Sequence, residues 1–123
     1  VRQPLVFISG DPSNMNAEAI NYLFAWDIDE SIGTVTGAGL MGVNEADYNE
    51  DTFYHGSGDS KLFDRTFAKT QIKNKNNTYS INKTGSLYGQ TYVACLFVIY
   101  TDAETGQSVT IYSDLAIIEK PAP

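Results

Sequence analysis

Apolar residues in this chain recur mostly with a period of two, the repeat of a strand that buries one face. The strongest run is TYVACLFVIY at 91–100. Tyr92, Ala94, Leu96, Val98 and Tyr100 fall on one side of the pleat and Val93, Cys95, Phe97 and Ile99 on the other. A strand apolar on both sides is predicted to be central and covered twice, or covered on one face and lined with aromatics on the other. DAETGQ follows, in which Gly106 suits the left-handed position that closes a four- or five-residue hairpin loop. SVTIYSD then returns, with Val109 and Ile111 on one face and Thr110 and Tyr112 on the other.

A second alternation runs through AINYLFAWDID, where Ile20, Tyr22, Phe24, Trp26 and Ile28 interleave with Ala19, Asn21, Leu23, Ala25 and Asp27. Ala17, Ile20, Leu23 and Phe24 also fit helical spacing, but the aromatics and the five-member alternation favour a strand. PLVFIS before it predicts an edge strand ended by the turn GDPSN. The four glycines among the β-branched residues of DESIGTVTGAGLMGV predict a hairpin or a bulged strand. KLFDRTFAKTQIK spaces Lys61, Arg65, Lys69 and Lys73 four apart, with Phe63 and Phe67 also four apart. That fits a short helix, and equally one side of a strand. NTYSINK and LAIIE read as strands, with TGSLYGQT as a turn between. The expectation is an all-β sandwich of seven to nine antiparallel strands with at most one short helix. Pro is absent from residue 13 to residue 120, so every interior strand keeps its full ladder of donors.

The chain resembles the fibronectin type III and immunoglobulin-like sandwiches at two short motifs. YLFAWDIDESIG has the look of their second strand, with Trp26 in the place of its buried Trp, and SLYGQTYVACLFVIYTD offers Leu87 and Tyr92. The resemblance implies that Trp26 and Leu87 are core residues and that Tyr92 anchors a tyrosine corner through its hydroxyl. Leu87 and Tyr92 stand one residue closer than is usual in that family, without a proline between them. The interval from Trp26 to Tyr92 is also lengthened by residues 44–60. The similarity spans roughly residues 5–119 and speaks to fold, not to activity.

Composition changes this picture little. With 123 residues, 42 % of them hydrophobic, the chain suits a single domain at 1–119 with a loop insertion near 44–60. A domain of this size buries about 65 % of its unfolded surface. EKPAP makes 120–123 a tail or linker, and the start at Val1 without a basic, apolar leader reads as a mature or excised fragment. The lone Cys95 sits in the apolar run, so an intramolecular disulfide is excluded and the residue reads as a small buried hydrophobe. A net charge of −7 argues against nucleic acid as a partner. That charge is uneven: residues 1–60 carry Arg2 against ten acids, and residues 61–83 carry six bases against Asp64 alone. Such polarity can steer a partner or a neighbouring copy of the domain.

Candidate chemistry concentrates in NEADYNEDTFYHGSGDS at 44–60, a long aperiodic stretch of the kind that usually has a task. Its His55 is the only histidine, with Ser57 and Asp59 near in sequence, so a hydrolase triad would have to be built there. HGSGD lacks the strand-to-helix setting of a nucleophile elbow. Carboxylates are paired in sequence, Asp27 with Asp29 and Glu30, Asp47 with Glu50 and Asp51, and would do acid–base work only if they converged in a cleft. DYNED places Asp47, Asn49 and Asp51 as the first three ligands of a calcium loop, yet Thr52 and Gly58 occupy the places of its Gly and bidentate Glu. Calcium between loops is the one cofactor left open. Tyr48, Phe53 and Tyr54 form either an exposed platform for sugar or protein, or a lid over the sandwich. Sequons start at Asn76 and Asn82.

The expected function is therefore non-catalytic: a secreted or cell-surface module for adhesion, assembly or spacing within a larger protein or filament. Its partners would be proteins or sister domains. A carbohydrate-binding module, calcium-assisted or not, is the alternative, and a small hydrolase the third reading.

Overall fold

A computed structural model of the chain describes residues 5–11, 17–27, 31–67, 77–82 and 85–122, leaving aside the side chains of 5–7, 9, 11, 27 and 77–81. GDPSN beyond Asp11, Ile28, Asp29, Glu30, Lys69, Lys73 and Asn76 lie outside the described residues. The strands are β1 (Leu5–Asp11), β2 (Ala19–Asp27), β3 (Gly33–Asn44), β4 (Phe63–Thr66), β5 (Asn77–Asn82), β6 (Thr91–Asp102), β7 (Ser108–Tyr112) and β8 (Ala116–Glu119). Among the described residues the only helical element is a three-residue 3-10 turn at Glu45–Asp47. Among the described residues the fold is all-β and every pairing is antiparallel.

One sheet has the order β1-β2-β5 and the other β4-β3-β6-β7, with β8 beside the opposite end of β6. The alternation in β2 is realised as a strand, since Ile20, Tyr22, Phe24 and Trp26 are each at most 1 % exposed while Leu23 faces outward. These side chains meet Ala38, Leu40, Tyr92, Ala94, Leu96, Val98 and Tyr100 of the second sheet in one core, closed at its ends by Phe67 and Leu87. The Phe24 ring stacks with Phe67, at 4.2 Å and 11°, and with Trp26, at 6.1 Å and 13°. Each fully buried apolar side chain of this kind contributes about 1.5–3 kcal/mol. Trp26, Leu87 and Tyr92 are thus core residues.

The glycine-rich segment is one bulged strand: β3 pairs with β6 from Gly33 to Asn44, with a register shift between Val35 and Gly37. The basic segment that also fitted a helix forms strand β4 over Phe63–Thr66. The β6–β7 hairpin closes with Gly106 at φ 72°. A kink separates β7 from β8, and Ser113 bridges it. Its N–H donates to the Leu96 carbonyl (2.9 Å) and its Oγ accepts the Leu96 N–H (2.8 Å), so a side chain completes the ladder. Lys120, assigned by sequence to the tail, is folded in: it is 1 % exposed and its Nζ donates to the Ala19 carbonyl at 2.5 Å. Its Nζ lies 5.0 Å from the centroid of the Tyr88 ring, and loss of solvent lowers its pKa.

Candidate functional site

The apolar face that β6 turns away from the core needs its own cover, because a two-layer fold has nothing beyond it. Met41, Cys95 and Phe97 are buried there, with Ile99 beside them and Phe53 and Leu62 packed on top. Phe53 belongs to the aperiodic segment and Leu62 to the basic stretch that follows it, so 44–62 is a third layer folded over the outer face of the second sheet.

Glycine at position 39 makes this face possible. A Cβ there would collide with the Phe97 ring and the Arg65 carbonyl, so its absence lets Phe97 lie flat across β3. The His55 ring stacks on Phe97 with centroids 4.2 Å apart and planes at 19°. His55 Nδ1 is 2.8 Å from Asp64 Oδ1, and the Gly56 N–H donates to Asp64 Oδ2 at 2.7 Å. The His55 N–H donates to the Tyr112 hydroxyl at 3.2 Å. Asp64 therefore clamps the loop tip from β4 while Phe97 and Tyr112 hold it from β6 and β7.

The base of the segment is fixed by its own polar side chains. Asn44 Oδ1 accepts the Ala46 N–H (3.1 Å), Asn49 Oδ1 the Asp51 N–H (2.9 Å) and Asp59 Oδ1 the Lys61 N–H (3.0 Å). Thr52 Oγ1 donates to Asp59 Oδ2 at 3.0 Å, tying the two halves of the loop together. Asx turns of this kind are why an Asn- and Asp-rich segment without periodicity still has a defined shape.

Chemically the cluster holds an imidazole, a carboxylate and a thiol. Asp64 engages the Nδ1 side of the His55 ring, the orienting contact that a general base requires. Nothing among the described residues hydrogen-bonds to Nε2. Cys95 is 1 % exposed and its pKa is pushed up to about 12, by burial first and then by the Asp64 carboxylate, so it is held as a thiol. The partners drawn from sequence for His55 are not the ones it has. Ser57 Oγ accepts the Asp59 N–H at 3.3 Å, and Asp59 is occupied by Thr52 and Lys61.

Of the binding aromatics, Tyr48 and Phe53 come together with centroids 5.3 Å apart and planes tilted by 59°, both half-buried. Tyr54 is 48 % exposed. Of the calcium candidates, Asp47 pairs with Lys61 Nζ at 3.1 Å, Asn49 Oδ1 is taken by the Asp51 amide, and Asp51 is exposed. Among the described residues no three His, Cys, Asp or Glu side chains are grouped closely enough to hold a metal ion. No helix among them is long and apolar enough to cross a membrane. Sequence reasoning missed Asp64, Phe97 and Tyr112 as partners of His55. One signal was available: Asp64 is the lone acid among the six bases of residues 61–83. Comparison with protein-family models, with curated proteins and with solved structures gave no match.

Proposed function

We propose that this chain is a non-catalytic β-sandwich module, secreted or carried on a cell surface, that serves adhesion, assembly or spacing within a larger protein or filament. The observation that carries the reading is the use made of segment 44–62. His55 and Phe53 hold the segment on the sheet, and Asn44, Asn49, Thr52 and Asp59 are spent shaping the segment itself. A loop built for turnover presents such groups to solvent or a cleft. We also infer an immunoglobulin-like, fibronectin type III-like class. Its support is the division of the strands, with the first, second and fifth in one sheet and the third, fourth, sixth and seventh in the other, together with the burial of Trp26, Leu87 and Tyr92.

The test is a glycan array and a thermal-shift series with calcium or chelator, run beside generic esterase, glycosidase and peptidase substrates. The module reading expects no glycan bound, no shift in Tm with either addition, and no turnover. Glycan binding abolished by Tyr54→Ala establishes the carbohydrate reading instead, and turnover abolished by His55→Ala establishes the hydrolase.

A further inference from the structure

Among the described residues Lys120 is the one charged side chain that is buried. Taking an ammonium out of water costs free energy unless it is hydrogen-bonded, and an apolar residue of similar volume would fill the same space without that cost. The place of Lys120 in the topology gives the charge a use. It follows β8 of the second sheet, and its Nζ donates to the Ala19 carbonyl at the start of β2 in the first. β1 stops at Asp11, opposite Asn21, short of Ala19. Lys120 therefore ties the two sheets together beyond the end of the β1 ladder.

That point is also where the chain leaves the fold, since Lys120 is buried and Pro121 and Ala122 are exposed. β8 ends with Glu119 opposite Thr91, where β6 begins. β1 begins with Leu5 opposite Asp27, where β2 ends. With Lys120 seated at the start of β2, the first strand enters at one end of the sandwich and the last strand leaves at the other. A pull between the two runs along both strands, and because antiparallel hydrogen bonds lie across the strands it loads their rungs together. β1 is paired with β2 at seven positions, and β8 with β6 at four. Lys120 lengthens the shorter ladder: its carbonyl accepts the Gly89 N–H (2.7 Å) and its own N–H donates to the Gln90 carbonyl (3.0 Å).

We propose that Lys120 is a tension latch, through which a pull on the C-terminal side of the domain is passed to both sheets. β8 cannot slide along β6 unless the ammonium also lets go of the Ala19 carbonyl and leaves the face of the Tyr88 ring. An uncharged side chain would pack in the same place without holding the first sheet. The inference rests on the module reading, because only a domain held at both ends within a larger protein or filament carries tension.

Constant-force optical trapping of the 123-residue chain tests it, with handles at residues 1 and 123 or at residue 1 and Thr105. Thr105 is exposed and lies just past the end of β6, on the side where β1 begins, so the second axis bypasses β8 and Lys120. Unfolding under force reports the unfolding rate along the loaded axis. Lys120→Met keeps an unbranched apolar side chain and removes the ammonium. It should unfold about tenfold faster than the wild type along the 1–123 axis, and by a clearly smaller factor along 1–105. If Lys120→Met fails to fold, the wild type pulled from Glu119, exposed and one residue inside the latch, takes its place. That axis leaves Lys120 slack, and unfolding should again be about tenfold faster than along 1–123. The same acceleration along both axes would make Lys120 a packing contact and overturn the latch. So would an unchanged rate along 1–123 in Lys120→Met, or equal wild-type rates from 119 and from 123. In each case the glycan and turnover panel still decides the module reading.

Discussion

Removing the Asp64 carboxylate should open the outer face of the second sheet without unfolding the domain, and Cys95 reports that opening. Asp64 holds the loop tip by two contacts, 2.8 Å to His55 Nδ1 and 2.7 Å to the Gly56 N–H. Hydrogen bonds to charged groups contribute about 1.5–3 kcal/mol each. The lower figure applies here, because the His55 side chain is 32 % exposed and solvent replaces part of what is lost. Asp64→Ala then costs the closed loop about 3 kcal/mol, and at 1.4 kcal/mol per decade the open fraction rises about a hundredfold. Cys95 is the sole cysteine and lies beneath Phe53 and Leu62, so alkylation of the native protein requires opening of some kind. The assay is the rate of thiol labelling at constant pH, with denaturant midpoints measured alongside. Asp64→Ala should label about a hundredfold faster. Asp64→Asn should recover most of the protection, since its amide can accept from Gly56 and donate to Nδ1 of the other His55 tautomer. An unchanged rate in Asp64→Ala would show that the loop does not cover this face and would refute the third-layer description.

Three further outcomes follow from buried polar groups. The folded pKa of Cys95 lies above its ordinary 9.0, so the folded state keeps the proton that the unfolded state gives up. Its contribution is whole below pH 9 and drains away between pH 9 and about 12, by about 1.4 kcal/mol at pH 10. Urea unfolding at pH 7 and pH 10 should show that loss in the wild type and lack it in Cys95→Ala; equal pH dependence in both would exclude the thiol as the cause. Tyr22 is 0 % exposed and its hydroxyl has no hydrogen-bond partner among the described residues. Tyr22→Phe should therefore stabilise by about 1 kcal/mol, and a comparable loss would reveal a partner for that oxygen. Ser113→Ala strips the Leu96 N–H of its acceptor and should cost about 1–3 kcal/mol in the same titration, while Ser113→Thr, which keeps the oxygen, should cost less.

Most of the frame was legible in the chain because strands announce themselves locally. The period of two in β2 and β6, the turn at Gly106 and the glycines of β3 each constrain only a few neighbouring residues, and each became the expected element. β4 stayed ambiguous between helix and strand because odd positions four apart satisfy both repeats. Its pairing with Gly39–Gly42 settles the matter, and that partner is remote in sequence. The inclusion of Lys120 in the fold was hidden for the same reason: the acceptor of its ammonium is the carbonyl of Ala19, 101 residues away. Segment 44–60 could be marked as aperiodic and polar, but composition does not say which surface such a loop covers. Its anchors, Phe97, Tyr112 and Asp64, come from three other strands.

The double-sided apolarity of β6 ties these observations together. Val93, Cys95 and Phe97 are no more exposed than 4 %, yet they point away from the core that holds Tyr92, Leu96 and Val98. A two-sheet fold can bury one side of its central strand and must leave the other wet unless something outside covers it. The long loop supplies that cover, which explains why it contains Phe53 and Leu62 and why His55 presents a ring face to Phe97. Once the loop is accounted for by packing, Leu115 and Ile117 are the large apolar side chains left exposed along the β8 margin among the described residues. A cover also has limits of reach. Segment 44–62 is anchored at Asn44 on β3 and at Phe63 on β4, on the β4 side of the sheet, and its tip reaches only Tyr112 on the far side. Leu115 and Ile117 therefore stay exposed among the described residues.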